Sequence, residues 1–401
     1  MKYNHVLVVG GRDHTLDKLD RLGVRYSMMQ TPDLVTDRQI QSAHRYLVMD
    51  YKDIEEVLLV ARAWHGKDPF DAIVSFAEYG MHAASMCAID LNLPGQNLQA
   101  VLLTRDKIKM RDMMQAHSLS PVRYATCRTV EEALDFFRSL EGRPMVLKPF
   151  SGGGSEGVFY VDDEASIRER WAWTYRETDG VVLAEEFLDG PEFSVESISR
   201  NGQHEIAMVT EKITTALPYF VELGHQVPAR LDDATLDAIR ELVVRFLNVI
   251  EQRTAPAHTE IRLTRDGPRI IESQTRIGGD QIWEMCEMVS GVDLMTETIC
   301  CLLDLPAPER KPVAAAAAIR FFPYENAHIL KVENLEQAQR AEAVVRVKCS
   351  LQPGQKIGRL KGSDSRQGYV LCTGLDIDDA MRNAETARDM VKVHWEPWAE
   401  H

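Results

Sequence analysis

No uninterrupted apolar run of roughly 18 residues occurs in this 401-residue chain, so no membrane-crossing helix is expected. Cysteine is sparse: seven are scattered at 87, 127, 286, 300, 301, 349 and 372, with no Cys-x-x-Cys spacing. An odd, dispersed set excludes a disulfide framework and a structural zinc site, and points to a reducing compartment. Basic residues are in deficit, 46 Lys and Arg against 61 Asp and Glu, for a formal net charge of −15. That balance excludes a protein wrapped on nucleic acid or on an acidic membrane face, while leaving room for local phosphate sites. No G-x-G-x-x-G follows the first strand at Gly10-Gly11 and no G-x-x-x-x-G-K-[ST] is present, which removes the dinucleotide fingerprint at that turn and the Walker A loop. No Ser–His–Asp or Cys–His signature suggests a covalent nucleophile. No leader precedes the strand-like residues 6–9, so a cytoplasmic protein is expected.

What is there is the composition of a globular protein, 45% hydrophobic and 27% charged, long enough for two or three domains. Residues 1–104 alternate short apolar runs ("HVLVVGG", "RYLVMD", "FDAIVSF") with helical stretches, a βαβ pattern that implies a parallel sheet. Gly10-Gly11 makes a tight strand-to-helix turn. A helical stretch at 105–117 leads into a small α+β unit extending to 190, containing "MVLKPF", the loop "SGGGSEG" and "VVLAEEFL". Residues 191–401 read as antiparallel sheet with helices at 232–252 and after 279, and a β-rich terminal portion from about 310, after the proline-rich "LPAPERKP".

Three stretches could carry chemistry. Lys148 ends a strand just before three consecutive glycines, whose backbone N–H groups can wrap phosphate oxygens. "EIRLTRDGPRIIESQTR" reads as a hairpin about an Asp-Gly turn, and symmetric pairing about 266 sets Glu260 opposite Glu272. Like charges so placed repel, so something positive should stand between them. Gln274 shares the face of Glu272, and Arg262 that of Glu260. Two carboxylates and an amide oxygen suit a hard cation such as Mg²⁺. Arg276, before Gly278 and Gly279, could reach an anion in a tight pocket.

The order of these segments resembles the ATP-grasp superfamily of carboxylate–amine ligases, most nearly its dipeptide-forming L-amino acid ligases. The resemblance covers most of the chain and is most specific over 107–280. It implies an ATP-grasp fold in the α/β and α+β classes: an N-terminal parallel α/β domain, a central α+β lid and a C-terminal antiparallel sheet domain. It implies that Lys107 and Lys148 contact ATP phosphates. Ser151, Gly152, Gly153, Gly154, Ser155 and Gly157 belong to the lid loop. Glu185, Glu186, Phe187 and Leu188 form the adenine hinge, and Glu192 accepts from the ribose. Glu260, Glu272 and Gln274 would hold Mg²⁺, or Mn²⁺ in its place, although the family has Asn where this chain has Gln274. Arg276 would steady the carboxylate and its acyl phosphate with help from Arg262, while Lys212 and His225 line the substrate side. Glu211 and His225 are the candidate bases.

The activity implied is formation of an amide from a small carboxylic or amino acid and an amine or second amino acid. A homodimer without nucleic-acid or membrane partners is expected. Carboxylating or phosphoribosyl-type ligases, and a non-catalytic nucleotide-binding relative, are the alternatives.

Overall fold

Val6, Leu7, Val8 and Val9 are all fully buried, as strands covered on both faces require. They belong to β1 (His5–Val9), which with β2 (Arg25–Gln30), β3 (Arg45–Val48) and β4 (Ala72–Val74) forms a wholly parallel sheet in the order β3-β2-β1-β4. The computed structural model describes residues 4–178 and 180–399.

The lid is an antiparallel sheet, β5-β8-β6-β7, built from β5 (Tyr124–Cys127), β6 (Met145–Pro149), β7 (Phe159–Val161) and β8 (Val182–Glu186). The helices Val130–Ser139 and Glu164–Arg176 cover it through Leu134, Phe137 and Ile167. The helix Lys107–Ala116 precedes it. Asp106 caps that helix, accepting from Ile108 N and Lys109 N. Its buried face is Lys107, Met110, Arg111 and Met114, a helical repeat that carries two cations inward with two thioethers.

The largest sheet has eight antiparallel strands. They are β9 (Glu192–Arg200), β10 (Gln203–Thr214), β11 (Glu222–Val227), β12 (Ala255–Thr264), β13 (Gly267–Gln274), β14 (Ala316–Phe321), and two strands of the terminal portion. That portion contributes β15 (Ala327–Glu333), β16 (Val344–Cys349), β17 (Lys356–Ile357), β18 (Gly368–Gly374) and β19 (Lys392–Pro397). The order is β13-β12-β9-β10-β11-β14-β18-β16, while β17-β15-β19 form a separate small sheet. Because β11 pairs with β14, from Gly224↔Arg320 to Val227↔Ala317, the chain beyond 310 continues the central sheet. One face is packed by Ile239, Val243, Phe246 and Leu247 of the helix Asp233–Val249. Each such buried side chain contributes about 1.5–3 kcal/mol.

The β12–β13 hairpin has the expected register, Glu260↔Glu272, with an irregularity between Glu260 and Ile261. The turn is tighter than the four residues expected: Gly267 (φ 96°) and Pro268 already pair with Thr264 and Leu263. Pro268 is tolerated because β13 is an edge strand, with no partner on its other side among the described residues. The helix expected near 280 starts at Ile282, since Asp280 and Gln281 take positive φ, 52° and 63°. Val6, Val8 and Leu16 of the N-terminal unit pack on Met295 and Ile299 of the helix Leu294–Leu302, which brings the end of β4 beside the end of β13. Among the described residues no helix is long and apolar enough to cross a membrane.

Candidate active site

A cavity of about 410 Å³ opens between the lid sheet, the edge of the large sheet and the segment after β4. Glu260 and Glu272 face into it from paired strands. Among the described residues no single cation bridges them. Lys107 Nζ lies 2.9 Å from Glu272 Oε2, and Lys212 Nζ lies 2.8 Å from Glu260 Oε1. His258 adds a third positive group. Its Nε2 is 3.3 Å from Glu260 Oε1 and its Nδ1 is 2.6 Å from Glu196 Oε1.

Burial alone would push the His258 imidazolium down, but Glu196 and Glu260 outweigh it and raise the pKa to about 9. Burial likewise opposes ionisation of Glu260, yet Lys212 and His258 hold it well below the carboxylate range. Glu272 is lowered in the same way, chiefly by Lys107 against its own burial.

Gln274 donates from Nε2 to Glu272 Oε1 at 2.7 Å, and its own Oε1 is buried without a hydrogen-bond partner among the described residues. An orphaned amide oxygen beside two carboxylates is the donor chemistry of a Mg²⁺ ligand set. Among the described residues no three His, Cys, Asp or Glu side chains gather as a metal cluster. The remaining ligands of such an ion would be phosphate oxygens and water.

On the lid side Lys148 is buried and its Nζ lies 2.7 Å from Glu185 Oε2. Burial lowers its pKa more than Glu185 raises it. Burial would raise Glu185, but Arg111 and Lys148 bring it down to about 2. In the glycine loop Gly152, Gly154 and Gly157 have φ of 102°, 71° and 71°, which side chains rarely adopt. Ser151 and Gly153 line the cavity. Gly152 O accepts from Lys107, Ser155 Oγ donates to Phe220 O at 3.1 Å, and Gly154 O accepts from Ser363 N at 2.9 Å. Gly157 closes the loop away from the cavity, where its carbonyl accepts from Thr174 Oγ. The hinge lines the cavity through Glu185, Glu186, Phe187 and Leu188, although the Glu186 carboxylate turns outward to accept from Arg123 N.

Several side chains lie elsewhere than expected. Arg262, grouped with Arg276 on sequence, instead sits against the hinge. It donates to Glu192 Oε2 at 3.1 Å and Leu188 O at 3.2 Å, with its guanidinium 5.2 and 5.3 Å from the ring centres of Phe187 and Phe220. β12 carries Glu260 and Arg262 on one face, but the longer arginine reaches past the carboxylates to the hinge.

Lys212, expected at the substrate side, is caged by Glu192 at 2.7 Å, Glu260 and Glu222 at 3.5 Å. These carboxylates overcome its burial and hold its pKa well above the usual lysine value. His225 Nε2 pairs with Asp280 Oδ2 at 3.0 Å, and Arg366 grips both oxygens of Asp280. Asp280, an acid near the proposed metal ligands, is thereby committed elsewhere. Glu211 binds Arg230 and is removed as a candidate base by that geometry. Arg276 donates from Nε to Glu78 Oε2 at 2.7 Å, a cavity residue that follows β4.

Glu78, Arg111, Glu222 and Arg366 were not singled out on sequence. Only Arg111 had a signal: it stands four residues after Lys107 and so shares its helix face.

Residues 141–284 match the ATP-grasp domain model, and residues 320–396 match L-amino acid ligase C-terminal domain 2. The chain carries an ATP-grasp domain. Over 306 residues this ATP-grasp chain is 26% identical to the uncharacterised protein y4rH of Sinorhizobium fredii, a match covering 75% of the chain and 63% of that protein. Over 309 residues it is 24% identical to carnosine synthase 1 of Mus musculus, covering 70% of the chain and 37% of that protein. The chain thus spans less than two thirds of either relative. The crystal structure of an L-amino acid ligase from Bacillus licheniformis has the same fold, with a TM-score of 0.83 at 24% identity over 99% of this chain and 100% of that one.

Proposed function

We propose that this ATP-grasp chain is an ATP-dependent carboxylate–amine ligase that joins an amino acid to an amine or a second amino acid. The observation that carries the reading is the cavity itself. Two buried lysines and a glycine loop face two opposed carboxylates, and an arginine–carboxylate pair, Arg276–Glu78, stands at the β13 end. A substrate carboxylate oxygen attacks the γ-phosphorus of ATP and ADP leaves; the neutral amine nitrogen then attacks the acyl carbon, and phosphate leaves with both C–O electrons and takes up the proton the nitrogen sheds. Mg²⁺ held by Glu260, Glu272 and the Gln274 oxygen would neutralise phosphate charge during transfer.

The chain's own contribution is position and charge. Lys107 and Lys148 bind phosphate oxygens, and residues 151–157 exclude water from the acyl phosphate. Glu192, beside the hinge, accepts from the ribose. Arg276 and Glu78 can part around a zwitterion, the guanidinium taking a carboxylate and the carboxylate an ammonium, which favours an α-amino acid. The names of the relatives, a carnosine synthase and an L-amino acid ligase, agree with that class of substrate.

ADP release from Mg·ATP, measured against amino acids and small acids singly and in pairs, tests the reading. Pair-dependent ADP formation, with a product mass of acid plus amine minus water, is expected. ADP formed with bicarbonate alone would replace this reading with a carboxylating one. The homodimer proposed with it is checked by light scattering.

A further inference from the structure

Arg111 is the largest fully buried side chain among the described residues, with 2% of its surface exposed. It lies one helical turn after Lys107. Its Nε donates to Glu185 Oε1 at 2.6 Å and its Nη2 to Glu185 Oε2 at 3.1 Å. Its Nη1 and Nη2 also donate to the carbonyls of Ile270 and Ile271, at 2.8 and 3.1 Å, in the strand that carries Glu272. Glu185 Oε2 takes Lys148 Nζ as well.

Arg111, Glu185 and Lys148 are therefore one cluster, each 5% exposed or less. Two cations and one anion leave a net charge of +1. Without Arg111, Lys148 and Glu185 would be a neutral buried pair with no charge to offer a ligand. A buried arginine is a costly brace, since apolar packing of similar volume commonly serves stability as well or better.

We propose that Arg111 is a charge-setting and positioning residue: by neutralising Glu185 it leaves the positive charge of Lys148 free for the polyphosphate of the substrate. The inference rests on the phosphate role proposed for Lys148. It adds a requirement on the sum of charges in the cluster, which hydrogen bonding to the strand does not impose.

The test is calorimetric binding of Mg·tripolyphosphate, a probe without adenine, to the full chain and its variants. Arg111→Met, with a cluster charge of zero, should weaken binding about tenfold or more, since the lost charge acts through a poorly screened interior. Arg111→Lys keeps the sum and should stay near wild type. Arg111→Met with Glu185→Gln restores +1 and should recover most of the affinity. A double variant as weak as Arg111→Met, or an Arg111→Met protein binding like wild type, would reduce Arg111 to a brace and overturn the proposal. If Arg111→Met does not fold, Glu185→Gln (+2) against the double variant (+1) measures the same increment without a buried carboxylate. Equal affinity of those two would also overturn it. Lys148→Met separates the two readings. If it binds like wild type, the phosphate role of Lys148 fails. If it is weakened while the Arg111 variants are not, only the charge-setting role fails.

Discussion

Glu260 and Glu272 stand directly opposite each other across β12 and β13, and each is neutralised by a different lysine, Lys212 from β10 and Lys107 from the helix Lys107–Ala116. The two carboxylates therefore stay ionised side by side. The arrangement also makes each lysine depend on its own carboxylate.

Glu272→Gln keeps the shape of the side chain and removes its charge. Mg²⁺-dependent ADP release should fall roughly a hundredfold or more if the proposed ligand of the phosphate-neutralising ion is lost with it. Glu211→Gln, on a residue held by Arg230 outside the cavity lining, should leave turnover unchanged. Steady-state turnover across a Mg²⁺ titration checks both.

Glu78→Gln removes the partner of Arg276 and the proposed ammonium acceptor. The KM for the amino acid should rise about tenfold, or roughly 1.4 kcal/mol. Nucleotide affinity should not change. Separate saturation curves for amino acid and ATP distinguish this from a general loss of structure.

Gly362→Val tests the contact between the terminal portion and the glycine loop. A Cβ at Gly362 would lie 2.9 Å from Gly154 O, and Ser363 N donates to that same carbonyl. The added side chain should force the loop outward at a cost of about 1–3 kcal/mol. ADP released per amide formed should rise severalfold as water reaches the acyl phosphate. The ratio of ADP to product mass reads this directly.

The Glu185 carboxyl lies at about 2, below its ordinary 4.5, and so contributes stability above pH 4.5 that is lost as pH falls through 2. The contribution is at most about 3 kcal/mol. Urea unfolding between pH 5 and 2 should show a shallower pH slope for Glu185→Gln than for wild type, by up to one proton. Equal slopes would mean that Glu185 ionises normally in the fold.

Much of the site was legible locally. The Asp-Gly turn with alternating arms set the Glu260↔Glu272 register, because strand pairing about a short turn leaves few alternatives. Lys148 and residues 151–157 were legible because a lysine at a strand end before three glycines is a local pattern. The reach of Arg262 was not, since alternation tells which face a side chain leaves from and not where a long guanidinium ends. The cage around Lys212 was hidden for a similar reason. Its three carboxylates come from β9, β11 and β12, and only the sheet order brings them together.

By itself the sequence determined the local chemistry of this protein: a parallel α/β start, a glycine loop behind a lysine, and two carboxylates facing across a hairpin. These follow from turn residues and side-chain periodicity, which act over a few positions. The tertiary structure decided the pairing of charges. Arg276 meets Glu78 across 198 residues, Arg366 meets Asp280 across 86, and Arg111 meets Glu185 across 74. Such pairs form because a charge drawn partly or wholly out of water must find an opposite one, and which one it finds depends on how the sheets and helices pack.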